Sequence, residues 1–101
     1  MPIALQAREA DALLTLDAEL TIYTALELKE QLLAPLDDFD SLEVDLSQVA
    51  EIDSAGVQLL LLLRKEAARR GKTVRMGAAS PAAHDMLALY GIGHQQEEAQ
   101  A

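Results

Sequence analysis

The residues able to carry chemistry gather in one short run. Asp53-Ser54-Ala55-Gly56 stands where an alternating apolar segment gives way to one with helical spacing. In open α/β sheets, ligands and reactive groups collect at the carboxyl ends of strands. A serine at such a turn has two uses. Its hydroxyl can cap the helix, with Ala55 and Gly56 as the first two helical positions, and truncating a cap to alanine costs about 1 kcal/mol. It can also accept a phosphate, which would meet the free N–H groups and the positive end of the helix dipole. Asp53 would repel that phosphate, so modification would alter the local charge and not simply be cancelled. Spacing alone favours the cap, with Gly56 allowing the helix to pack close to the sheet.

Other candidate chemistry is thinner. The sequence has no cysteine, which removes disulfides, thiolate nucleophiles and Cys-based metal sites. His84 and His94 have no partner at ligand or triad spacing. Asp37, Asp38 and Asp40 lack the glycine-punctuated spacing of a calcium loop and read as a solvated connection. Gly71-Lys72-Thr73 imitates the end of a phosphate-binding loop, but Glu66 stands where the first glycine belongs and the triplet closes a helix. Asp45 alternates with apolar residues and reads as solvent-facing. Arg64, Lys65, Arg69 and Arg70 fall at the end of a helix, where cations complement the dipole. No cofactor and no metal is expected.

The elements that position the serine follow from periodicity. Ile3, Leu5 and Ala7 alternate with Ala4 and Gln6, a short edge strand. Leu14, Leu16, Ala18 and Leu20 fall on one face of a second strand running from Ala12 to Leu20. Thr24-Ala25-Leu26-Glu27 has the form of a capping box. Ala25, Leu28, Leu32, Leu33 and Leu36 then make one helical stripe, ended near Pro35. Leu42, Val44 and Leu46 mark a third strand. A long helix covers Val57 to Arg70, closed by Gly71, and Thr73 to Ala78 is a fourth strand. Ser80-Pro81 opens a last helix carrying Ala83, Met86, Leu87 and Tyr90. The order β-β-α-β-α-β-α predicts an α/β fold, a small mixed sheet with right-handed crossovers that place the helices mainly on one face. We expect residues 1–94 to form a single domain and 95–101 a polar tail.

The run from Leu42-Glu43-Val44-Asp45-Leu46-Ser47 to Ile52-Asp53-Ser54-Ala55-Gly56-Val57-Gln58-Leu59-Leu60 resembles the signature region of STAS domains. In that family, aspartate-leucine-serine ends a strand and an aspartate-serine-small-glycine turn opens a leucine-rich helix. Leu16-Asp17-Ala18-Glu19-Leu20-Thr21-Ile22 is similar to the family's second strand, with Ala18 where glycine is usual. The resemblance implies the anti-sigma factor antagonist branch, phosphorylated on the serine that matches Ser54. It implies no catalysis, and a partner that is a GHKL-type serine kinase acting as anti-sigma factor, released by phosphorylation. Many members of the branch have serine or threonine where Ala55 stands. Related STAS proteins serve the ATPase of a phospholipid-transporting ABC system or stand beside chemotaxis kinases, which are the alternative partners.

Composition bounds the rest. Among 101 residues the only aromatics are Tyr23, Phe39 and Tyr90, too few for base-stacking platforms. A formal charge of −9 disfavours nucleic acid, whose binding rests on cationic contacts. Met1-Pro2-Ile3-Ala4 lacks the start of a signal peptide, and the apolar run Leu59 to Leu63 is far too short to span a bilayer. A cytoplasmic protein, monomeric without its partner, is the expectation. Val57 and Leu59 to Leu63 put apolar groups around nearly the whole helix. Leu60, Leu61 and Leu63 are assigned to internal packing. Asp53, Ser54, Ala55, Gly56, Val57 and Gln58 are the expected partner-binding residues, with Val57 and Gln58 at the rim.

Overall fold

Leu42, Val44 and Leu46 alternate with Ser41, Glu43 and Asp45, and the alternation divides the sheet into a dry face and a wet one. In a computed structural model that describes residues 3–92, those three apolar side chains are fully buried. The strand they occupy, β3 (Ser41–Leu46), lies second from one edge of a four-stranded sheet of order β1-β2-β3-β4. β1 (Ile3–Ala7) runs antiparallel to β2 (Ala12–Leu16), while β2, β3 and β4 (Thr73–Ala79) are parallel. Register places Leu14, Val44 and Met76 abreast on the dry face.

Three helices complete the core: α1 (Ala25–Leu33), α2 (Ser54–Arg69) and α3 (Pro81–Leu89). Leu28 and Leu32, Val57, Leu60 and Leu63, and Ala83 and Leu87 join the strand residues in one continuous cluster. The predicted α/β fold and its element order are therefore observed. On the wet face Arg8 forks onto Asp11 at 2.8 Å, and Arg8 and Arg75 both reach Glu43 Oε1, at 3.1 and 3.0 Å. Among the described residues no helix is long and apolar enough to cross a membrane.

Four local expectations need correction. β2 stops at Leu16 and does not run on to Leu20. β3 ends at Leu46, where Asp45 Oδ1 accepts the Ser47 N–H at 2.9 Å and folds a turn. Asp17 to Glu19 therefore have no strand to pair with, and Leu20 meets the sheet again only as an isolated parallel bridge to Ile52. The capping box at Thr24 does not form. Its hydroxyl donates to Glu19 O at 2.6 Å and accepts the Thr21 N–H at 3.0 Å, closing the loop instead of the helix. Pro35 does not stop the chain from turning; Ala34–Asp37 continue as a 3-10 turn, where proline needs no amide donor. The long helix begins at Ser54, three residues ahead of Val57, because Asp53 is its cap.

Other expectations hold. Gly71 has φ +74° just past α2, and the Lys72 N–H donates back to Ala67 O at 2.7 Å, the bond pattern that ends a helix on a left-handed residue. Ser80 Oγ accepts the Ala83 N–H at 3.1 Å and opens α3 ahead of Pro81. His94 and the tail of residues 95–101 lie outside the described residues.

Two cations of the basic cluster at the end of α2, Arg69 and Arg70, are engaged within the fold. Glu66 accepts Arg69 Nε at 3.0 Å and Arg70 Nε at 2.9 Å, and Arg70 also reaches Asp37 at 2.9 Å. The Arg69 contact foremost, and then Arg70, pulls the Glu66 carboxyl from 4.5 down to about 2. A carboxyl with a depressed native pKa stabilises the fold fully above its unfolded value. That contribution is lost as pH falls through the folded one. Unfolding in urea should show the stability gap between wild type and Glu66→Gln closing as pH drops from about 4.5 to about 2. A gap independent of pH would contradict this ion-pair assignment.

Candidate functional site

Beyond β3 the chain returns at Ile52 to the carboxyl end of the central strands and meets the loop after β2. The Leu20 N–H donates to Glu51 O at 2.8 Å, and the Asp53 N–H donates to Leu20 O at 3.0 Å. This short bridge lays two loops side by side at the carboxyl end of the parallel strands. Asp53, extended at φ −120° and ψ −171°, then joins them through its side chain. Oδ1 accepts the Gly56 N–H and Oδ2 accepts the Ile22 N–H, each at 3.1 Å. The Ile22 N–H above all, with those of Gly56 and Ala55, holds the Asp53 carboxyl below its ordinary value. A charge-assisted bond of this kind is stronger than one between neutral groups.

Gly56 makes the junction possible. A Cβ built on it would lie 2.1 Å from Leu20 O, a backbone atom with no freedom to retreat. The first turn of α2 therefore rests directly on the β2–α1 loop. Gly56 is required by space here and not by its φ, which is helical.

The six residues expected to bind a partner separate into two groups. Ser54 and Gln58 are exposed and Ala55 is half-buried. Gly56 and Val57 are buried, Val57 completely, so the rim position expected for Val57 is corrected: it points into the core one turn below the surface. Asp53 is half-buried and serves as the clamp. Ser54 is the first residue inside the helix and not its cap, and among the described residues its hydroxyl has no hydrogen-bond partner. Leu60 and Leu63 are buried as expected, but Leu61 is only half-buried, like Leu62.

The structure adds residues that sequence reasoning passed over. Ile22 is 67 %, Tyr23 90 % and Leu26 83 % exposed. Ile22, Ala25, Leu26 and Lys29 on one side, with Ala55, Gln58, Leu59 and Leu62 on the other, line an open groove of about 310 Å³. A second depression of about 600 Å³ continues along α2 over Gln58, Leu61, Leu62 and Lys65. The available signal was Ile22-Tyr23, apolar beyond the end of the strand alternation, and Leu26, which is off the buried stripe of α1.

The remaining candidates resolve structurally. Lys72 Nζ donates to Leu36 O, so Gly71-Lys72-Thr73 ties α2 and β4 to the 3-10 turn. Asp37 pairs with Arg70, and Asp40 lies 3.8 Å from Lys72. Asp45 Oδ1 accepts the Ser47 N–H in a turn of its own, while Asp53 is engaged with Ile22 and Gly56. Among the described residues no trio of His, Asp or Glu is placed to hold a metal ion.

The sequence model of the family described as "Mlab, STAS domain" matches residues 3–97, and the chain belongs to that STAS family. No curated protein matches the sequence. Among solved structures, the unphosphorylated anti-sigma factor antagonist SpoIIAA is 17 % identical with a TM-score of 0.73, covering 97 % of this chain and 92 % of its own. The phosphorylated form of the Bacillus cell fate determinant SpoIIAA is 14 % identical with a TM-score of 0.67, covering 97 % and 96 %. An anti-sigma factor antagonist from Mycobacterium paratuberculosis is 21 % identical with a TM-score of 0.78, covering 88 % and 76 %. At such identities the shared property is the fold.

Gly56→Ala should destabilise the chain by about 1–3 kcal/mol through overpacking, whereas Ser54→Ala should stay within about 0.5 kcal/mol. Thermal unfolding measures both. A neutral Gly56→Ala, or a Ser54→Ala as costly as a lost cap, would contradict the geometry of this turn.

Proposed function

We propose that the chain is a regulatory docking module of the anti-sigma factor antagonist kind, which binds a serine kinase of the GHKL type and is released by phosphorylation of Ser54. The observation that carries this reading is the exposed Ser54 hydroxyl at the start of α2, without a hydrogen-bond partner among the described residues and next to an apolar groove. Docking on that groove would exclude water from Ile22, Leu26 and Ala55. A phosphate adds about −1.5 to −2 charges at neutral pH. The Gly56 N–H at this helix end is already taken by Asp53, so the phosphate would not be neutralised there. It would instead face the groove margin and oppose its desolvation. On this reading the domain performs no catalytic step of its own; the partner supplies the phosphoryl transfer.

A second reading keeps the same surface but makes docking constitutive, as in an accessory subunit of a phospholipid-transport ABC ATPase. The alanine at position 55, where many members of the antagonist branch carry serine or threonine, favours it. Affinity capture from native extract with wild type and Ser54→Asp separates the two. A GHKL-type kinase retained by wild type and lost from Ser54→Asp, with unchanged circular dichroism, is the expected result. An ABC-type ATPase held equally by both proteins would overturn the phosphorylation reading in favour of the second.

A further inference from the structure

Arg8, Arg69, Arg70, Lys72 and Arg75 are all engaged in ion pairs within the fold. Among the described residues, Lys29 and Lys65 carry no ion pair, and both are exposed. Lys29 lines the groove between α1 and α2, and Lys65 lines its continuation along α2. In a protein of net charge −9, two uncompensated cations on one apolar surface give that surface a distinct polarity.

Geometry fixes which end is positive. Each of α1 and α2 connects parallel neighbours in the sheet, so the two helices run in the same direction. Ile22 and Ala55 therefore stand at one end of the groove, with Ser54, and Lys29 and Leu62 at the other. Lys65 follows Leu62 by one turn. From Ser54 to Lys65 is roughly 16 Å at about 1.5 Å per residue, the length of about three helical turns.

We propose that this groove receives an amphipathic helix of a protein partner, its apolar stripe on Ile22, Leu26 and Leu62 and its acidic end on Lys29 and Lys65. The proposal rests on the docking role assigned above and names the chemistry of the segment that docks. A groove between two helices accepts a third helix through side chains at i, i+3, i+4 and i+7, and complementary charge fixes its direction. Lys65, at the far end, is farther from Ser54 than the Debye length of about 8–10 Å at physiological salt. A charge on Ser54 therefore weakens the apolar end without altering the preference for acid at the other.

The probe is a synthetic three-turn amphipathic peptide with leucines at those spacings and glutamates in one terminal turn, compared with its twin carrying lysines there. Each is titrated into the full chain labelled with 15N. The glutamate peptide should bind several-fold to about tenfold more tightly, with shifts centred on Ile22, Leu26, Lys29, Gln58, Leu62 and Lys65. The double variant Lys29→Glu/Lys65→Glu should reverse the order, while Ser54→Asp should weaken both peptides alike. Equal affinities, no binding by either peptide, or shifts centred elsewhere would overturn the proposal. So would groove shifts that depend on protein concentration without peptide, which would make a second copy the occupant. The titration needs neither kinase nor modified serine, so its failure is distinguishable from failure of the capture experiment.

Discussion

The carboxylate of Asp53 accepts one N–H from the loop after β2 and another from the first turn of α2, and the surface around Ser54 depends on that shared acceptor. Without it the two segments keep the backbone bridge between Leu20 and Ile52 and the close packing of Gly56 on Leu20, but no side chain ties the loop to the helix. With it, Ile22 and Ala55 are held as opposite walls of one groove. The same carboxylate occupies the helix end that a phosphate would otherwise use. Asp53 therefore both builds the surface and sets the electrostatic condition under which a negative charge at Ser54 disturbs it.

Close packing makes this arrangement rigid. Gly56 leaves no room between α2 and Leu20 O, and Val57 and Leu60 directly beyond it are buried in the core. The apolar residues of α2 thus divide by angle around the helix. Those facing the sheet hold the domain together, and those on the opposite side, Leu61 and Leu62, are left half-buried. Their partial exposure is what lets one helix serve both folding and docking.

Much of this was legible in the sequence, for reasons that differ by element. The strand alternation of Leu42, Val44 and Leu46 and the helix endings at Gly71 and Ser80 depend on local chemistry, and each was read correctly. The Asp53-Ser54-Ala55-Gly56 turn was located, but its internal roles were shifted by one residue. Two polar neighbours can each cap a helix, and only the distant Ile22 N–H decides in favour of Asp53. Thr24 failed as a cap for the same kind of reason, since Glu19 O claims its hydroxyl. Periodicity marks single groove residues but not the groove. It arises where two separate helices meet, and although Leu26 lies off the buried stripe of α1, periodicity does not say that α2 stands beside it.

The Asp53 clamp is tested most directly by following backbone amide shifts through an acid titration by NMR. The amides of Ile22 and Gly56 should titrate together, with one midpoint below the ordinary aspartate value of 3.8. Asp53→Asn should abolish both transitions. Separate midpoints for the two amides, or a shared midpoint at or above 3.8, would show that no single carboxylate joins the loop to the helix.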